Sequence, residues 1–288
     1  MSLTLDRVEI EGVGSDPVGL ADALLRQLPD LDGRVPIDEI ARALDIIDIL
    51  EAPLAGLEGC LQTDGQKSEG QIIVRAGRSA RRRRFTIAHE LGHFLNERHR
   101  PVPGVGFACT GQDMRSPVGE GVRLRQETEA NTFAIEALTP RRLLARSLRL
   151  SADLERALQI ADRFDVSREA ALRRYVALHA ERLAAVFSAE GRVRYVVKGP
   201  EFPATSVWNG DPVGHLLLGG GSKDLTSMEE APPDDWIRGR FRGAVFAQTL
   251  YQEHGHAMTL LIAEAPEHED DAGVAELGEP TFGPRRRR

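Results

Sequence analysis

Aromatic side chains are scarce in this sequence: ten Phe, three Tyr and two Trp make up only 5% of it. The core must therefore be built from Leu, Ile, Val and Ala, and a hydrophobic content of 41% leaves enough of them to build one. Cysteine is scarcer still, with Cys60 and Cys109 alone, which excludes a disulfide framework. No run approaches the roughly 18 apolar residues of a membrane span. The first 14 residues include Asp6, Arg7, Glu9 and Glu11 and lack the apolar stretch of a signal peptide. An excess of positive charge is also missing: the formal net charge is -7, which argues against a protein whose main task is to coat nucleic acid. These absences predict a cytoplasmic globular protein with no membrane partner, and 288 residues leave room for one large domain or two to three small ones.

What is present is concentrated in residues 85–96, Phe-Thr-Ile-Ala-His-Glu-Leu-Gly-His-Phe-Leu-Asn. His89 and His93 stand four apart, an offset that on a helix places both rings on one face, within reach of a single metal ion. Glu90 follows the first histidine, where an H-E-x-x-H site carries its general base. Ile87, Leu91, Phe94 and Leu95 recur at helical spacing and can bury one face, and Gly92 permits close packing beside the site. A pattern this short also arises by chance, so a third ligand has to decide the matter.

Residues 126–138 read as a second helix, with Ala130, Phe133, Ala134, Ala137 and Leu138 as its core face. Glu127 and Asn131, four apart, share a neighbouring face, the arrangement of a carboxylate ligand and a residue that steadies a ligand histidine. Taken together, the stretch from Phe85 to Leu95, then Glu127-x-x-Ala130-Asn131-x-Phe133-Ala134, and the closing Leu138-Thr139-Pro140 resemble the ImmA/IrrE family of metallopeptidases. Thr139 departs from the Leu-Met-Pro usual in that family without touching the site. The resemblance implies that His89, His93 and Glu127 are metal ligands, that Glu90 is the base, and that the site is the His₂Glu type of thermolysin-like, gluzincin-like zinc enzymes, with manganese as the alternative ion. Glu129 competes as third ligand; Glu127 is favoured because Glu-x-x-x-Asn pairs ligand and supporting residue on one face.

An α+β fold is expected around this site. Residues 1–140 are assigned to a zincin-like peptidase domain, 141–183 to a helical segment resembling a helix-turn-helix, 184–263 to a β-rich, sensor-like domain, and 264–288 to a disordered acidic tail. Residues 1–17 look like a loose lead-in. Gln71, Ile72, Ile73 and Val74, with Arg75, form a strand leading into the metal helix, and its free edge would hold an extended peptide substrate. Arg81 to Arg84 invite a nucleic-acid reading, but a solvated turn ahead of a helix is the plainer one. Residues 98–120 form a Gly- and Pro-rich loop of the length that often covers a cleft.

Three functions compete. In the leading one, a metallo-endopeptidase cuts a protein substrate, which the family resemblance narrows to a helix-turn-helix repressor of the Xre/Cro type whose loss releases stress, DNA-damage or mobile-element genes. The second is a non-enzymatic regulator that binds DNA and holds a structural metal; the six arginines and six acids of residues 153–182 give no electrostatic footprint for a duplex, and a structural site needs no base. The third is a latent enzyme in which Cys109, lying between the two metal helices, caps the open coordination position, against the plainer reading of a buried loop cysteine. Elsewhere, His254-x-His256 lacks a third ligand and reads as surface, as does His215.

Overall fold

The computed structural model describes residues 3–115, 117–214, 216 and 225–265. The tail expected from 264 onward lies, beyond residue 265, outside the described residues, as does His215.

The fold is α+β, as expected. Three short helices, α1 (Arg7–Glu11), α2 (Pro17–Arg26) and α3 (Ile37–Ala43), precede a sheet made of β1 (Ile46–Ala52), β2 (Gly59–Thr63), β3 (Gly70–Arg75) and β4 (Phe107–Cys109). The long helices α4 (Ala80–Leu95) and α5 (Gly121–Leu138) carry the two motifs, and α6 (Arg141–Leu148), α7 (Leu154–Phe164) and α8 (Arg168–Leu178) follow. The chain ends in a second sheet of β5 (Leu183–Ala189), β6 (Arg192–Lys198), β7 (Glu229–Ala231), β8 (Ala244–Tyr251) and β9 (His256–Glu264), with the short α9 (Pro233–Trp236) beside it.

Among the described residues, 3–17 are therefore not a loose lead-in. Asp6 caps α1 by accepting from the Glu9 amide, and a five-residue helix is too short to show a period. The arginine run also differs from expectation. Ser79 caps α4 by accepting from the Arg82 amide, so Arg81 to Arg84 form the first turn of the metal helix rather than a solvated turn. Arg81 pairs with Asp162 and Asp165, Arg82 with Glu58, Arg83 with Asp38 and Glu51, and the buried Arg84 with Asp165. Five acidic partners, carried by four separate segments, pin the start of the helix.

The first sheet has the order β1-β3-β2-β4, with β1 and β3 parallel and the other pairs antiparallel. Gln71, Ile72, Ile73 and Val74 thus lie in a strand paired on both sides, with Ile49 opposite Ile72 on one flank and Leu61 opposite it on the other. The expectation that this strand offers a free edge to substrate is corrected: the outer edges belong to β1 and β4. A run of Ile and Val cannot by itself tell an edge strand from an interior one.

The second sheet, β6-β5-β9-β8-β7, is antiparallel throughout, and its inner strands β5 and β9 are buried on both faces. Met258, Leu260 and Ile262 of β9 join one large core with Phe187, Tyr175 and Leu154, and that core continues through α4 and α5 to Ile10. The alternate residues Leu261 and Ala263 face a smaller core around Trp236. Strand periodicity distributes β9 between the two cores.

Candidate metal centre

Helices α4 and α5 cross where Gly92 meets α5: a Cβ there would stand 3.0 Å from Phe133 Cδ1 and 3.3 Å from the Ala130 Cα. Close approach of the helices lets a short carboxylate reach the histidines. Glu127 Oε2 lies 3.2 Å from His89 Nε2 and 3.6 Å from His93 Nε2, while the two Nε2 atoms stand 3.1 Å apart. Glu129, the rival ligand, turns away to His99 at 2.9 Å.

The outward nitrogens are fixed by their partners. Asn131 donates its Nδ2 to the Asp113 carbonyl at 2.7 Å, so its Oδ1, 3.0 Å from His89 Nδ1, must accept, and His89 carries its proton on Nδ1. The second chain is longer. His99 donates Nε2–H to Glu129, and burial pulls the pKa of His99 down to about 4, so the ring is neutral and its Nδ1 accepts from His93 Nδ1 at 3.0 Å. Burial likewise draws His93 down to about 3. His93 is thus neutral with a bare Nε2 lone pair, and His89, with its proton on Nδ1, turns its Nε2 to the same point.

Two nitrogen lone pairs and a carboxylate oxygen therefore converge with no hydrogen between them, and Glu127 Oε2 has no hydrogen-bond partner. Such a set of acceptors repels unless a cation sits among them. In a tetrahedral zinc site, bonds of about 2.0–2.1 Å set nitrogen and oxygen donors roughly 3.3 Å apart, the spacing found here. His89, His93, Glu127 and Cys109 each present one donor atom, all within 4.8 Å of one another. The donor set fits a divalent metal.

Glu90 sits beside this group with neither carboxylate oxygen hydrogen-bonded, fully buried, and its carboxyl is pushed well above the usual range by burial and by the charge of Glu127. Room for it depends on β2, since a Cβ at Gly59 would stand 2.5 Å from Glu90 Oε1. The centre is covered by β4 and the turn after it. Phe107 stacks on His93 with ring centroids 4.5 Å apart, and Met114 accepts from the Thr86 hydroxyl. The 98–120 loop expected to cover a cleft supplies these residues.

Beyond the cover, a cleft of about 840 Å³ opens between α4, the start of α8 and β9, with Phe85, Arg82, Arg115, Arg168, Arg173 and Arg194 among its walls. Phe85 joins cleft to centre, its ring 6.4 Å from that of His89. An adjoining cavity of about 450 Å³ reaches Asn131. Helix α8, second in the helix-turn-helix-like pair, is not free: Ala171, Leu172, Arg174, Tyr175 and Val176 are buried.

Nearby tyrosines are engaged elsewhere, and the pair His254 and His256 lies outside the centre. Tyr175 is buried and accepts from the Asp153 amide, and Tyr195 is bonded to Glu169. His254 is exposed in a turn. Sequence reasoning missed the role of His99 and of Lys67, whose Nζ donates to the His93 and Asn96 carbonyls and secures the end of α4. It also missed Gly59, Phe107 and Asp113. No motif spacing marks these residues, because a loop or a strand brings each to the helix.

No helix among the described residues is long and apolar enough to cross a membrane. No curated protein matches the chain. A solved structure of a Mycobacterium tuberculosis transcriptional regulator shares the fold at a TM-score of 0.50 and 15% identity, over 90% of this chain and 80% of that one. Residues 47–175 match the Peptidase_M78 family, the IrrE N-terminal-like domain. That match takes in β1 through most of α8 and both metal helices, and by it residues 47–175 are identified as an IrrE N-terminal-like domain.

Proposed function

We propose that the chain is a metal-dependent endopeptidase in which His89, His93 and Glu127 hold the ion and Glu90 is the base. The observation that carries this reading is the convergence of lone pairs on a buried point with no hydrogen between them. Zinc suits the donor set best, and manganese is the alternative. A divalent ion held there supplies Lewis acidity toward a peptide carbonyl and a water. Glu90 takes a proton from that water on its carboxylate and passes it to the leaving amine nitrogen. Asn131 and His99 hold the two imidazoles in the tautomer that keeps both Nε2 atoms bare.

The substrate we infer is a helix-turn-helix repressor of the Xre/Cro type, cut in the cytoplasm to release stress, DNA-damage or mobile-element genes. Support comes from the family and from a cleft wide enough for a peptide whose arginines favour an acidic segment. With β3 enclosed, the edge we assign to the peptide is that of β4. Direct DNA binding is the weaker reading, since α8 spends one face on the core. The divisions at 1–140, 141–183 and 184–263 are proposed as functional units, because one core runs through all three.

The test is co-expression with the repressor encoded beside it. Wild type should yield two repressor fragments. Glu90→Gln, which keeps the shape of the side chain but not its basicity, should retain metal and lose at least about 10²-fold in rate. Glu127→Ala should lose the metal, and Glu129→Ala should keep it. An intact repressor with metal-loaded wild type, or a Glu90→Gln protein that still cuts, sinks the proposal.

A further inference from the structure

We infer that Cys109 is a fourth ligand of the metal centre, and that the β4 strand carrying it slows the peptidase by competing with substrate for the open coordination position. The inference rests on the peptidase reading and goes beyond it: the His₂Glu set leaves a fourth position for substrate or water, and here a thiol stands in that place.

Cys109 Sγ lies 3.7 Å from His93 Nε2, the atom already assigned a bare lone pair. A sulfur bound at about 2.3 Å in a tetrahedral site stands roughly 3.6 Å from a nitrogen bound at about 2.05 Å, so the separation is that of two ligands of one ion. Sγ also lies within 4.8 Å of the donor atoms of His89 and Glu127. The residue is fully buried, and the other group beside its sulfur is the Glu90 carboxyl. A second observation points to the same place: both oxygens of the buried Glu90 lack hydrogen-bond partners, as expected of a carboxylate aimed at a cation or its water.

The rest of β4 fits a removable stopper. The strand is three residues long and pairs with β2 alone, Gly59 opposite Cys109 and Leu61 opposite Phe107. The Cys109 carbonyl accepts from the Glu58 amide at 2.9 Å, and Phe107 seals the other side by stacking on His93. A thiol that holds the ion would do so as the thiolate, with the neighbouring Glu90 carboxylate as the base that takes its proton. Four protein ligands make a closed site of the structural type, and chemistry needs one of them to leave. Cys109 is the one on a short edge strand; His89, His93 and Glu127 sit on long helices locked together at Gly92.

Cobalt substitution of the full chain tests this without relying on catalysis. Wild type loaded with Co²⁺ should show a sulfur-to-cobalt charge-transfer band in the near ultraviolet. Cys109→Ser and Cys109→Ala should lose that band while keeping the visible ligand-field bands of bound cobalt, and Cys60→Ser should leave the band in place. The two Cys109 variants should also cut the repressor faster than wild type. Cobalt bound to wild type with no sulfur band, or a band that vanishes with Cys60→Ser and survives Cys109→Ser, overturns the inference and leaves the peptidase reading standing. Failure of wild type to bind cobalt at all overturns both.

Discussion

Gly59 shows how much one missing side chain decides. It lies on β2, far in sequence from the metal helix, yet a Cβ there would stand 2.5 Å from both Glu90 Oε1 and Thr86 Cγ2. Gly59→Ala should therefore displace Glu90 or push β2 off α4, at a cost of roughly 1–3 kcal/mol. The expected outcome is a lower melting temperature together with a loss of repressor cleavage while metal content is kept; unchanged cleavage would show that the base tolerates the shift. At this scale the sequence was informative where one helix carries two groups: His89 with His93, and Glu127 with Asn131, are each four apart. It was silent on His99, six residues past His93, because the loop after α4 folds it back beneath the ligand.

At the scale of elements, the start of the metal helix is held by charge. Asp165 ends α7 in the left-handed region, with φ 53°, and faces Arg34, Arg81 and Arg84. Burial would raise its carboxyl, but the three guanidiniums, Arg34 first, outweigh burial and hold it below its usual range. A carboxyl held low stabilises the fold above its unfolded-state value and loses that contribution as pH falls through the folded one. Asp165→Asn keeps a residue that tolerates positive φ and should cost on the order of 1–2 kcal/mol at neutral pH, most of it from leaving the buried Arg84 less well paired. Urea midpoints of the two proteins should converge below about pH 4; a constant gap would show that the charge is not the cause. The arginine run looked like solvent-exposed surface because sequence displays the four arginines and not the five acids that four other elements bring to them.

Across the whole molecule, one core joins the metal helices to the second sheet. Phe187, Leu250, Met258, Leu260 and Ile262 all lie past residue 183 and all belong to the core that contains α4 and α5. At roughly 1.5–3 kcal/mol for each buried side chain, removing them forfeits about 10 kcal/mol, comparable to the net stability of a domain. A chain ended after residue 183 should fail to fold, and the full chain should unfold in one calorimetric transition. A soluble, metal-binding 1–183 fragment would show instead that the peptidase unit stands alone. The α7–α8 pair resembles a helix-turn-helix in sequence. Its packing makes it the joint between the metal centre and the second sheet, a role invisible without knowing what Leu172 and Tyr175 touch.

Sequence by itself determined what depends on neighbours along one element: the helix that stacks His89 over His93, the later helix that pairs Glu127 with Asn131, the α+β alternation, and the family those residues belong to. Only the tertiary structure decided what depends on distant segments meeting. It enclosed β3 and left the edges to β1 and β4, brought Glu127 rather than Glu129 against His89 and His93, set Gly59 against Glu90, and put the Cys109 thiol beside His93. Helical periodicity is written in the spacing of residues, whereas strand order and loop closure follow from how the core is filled.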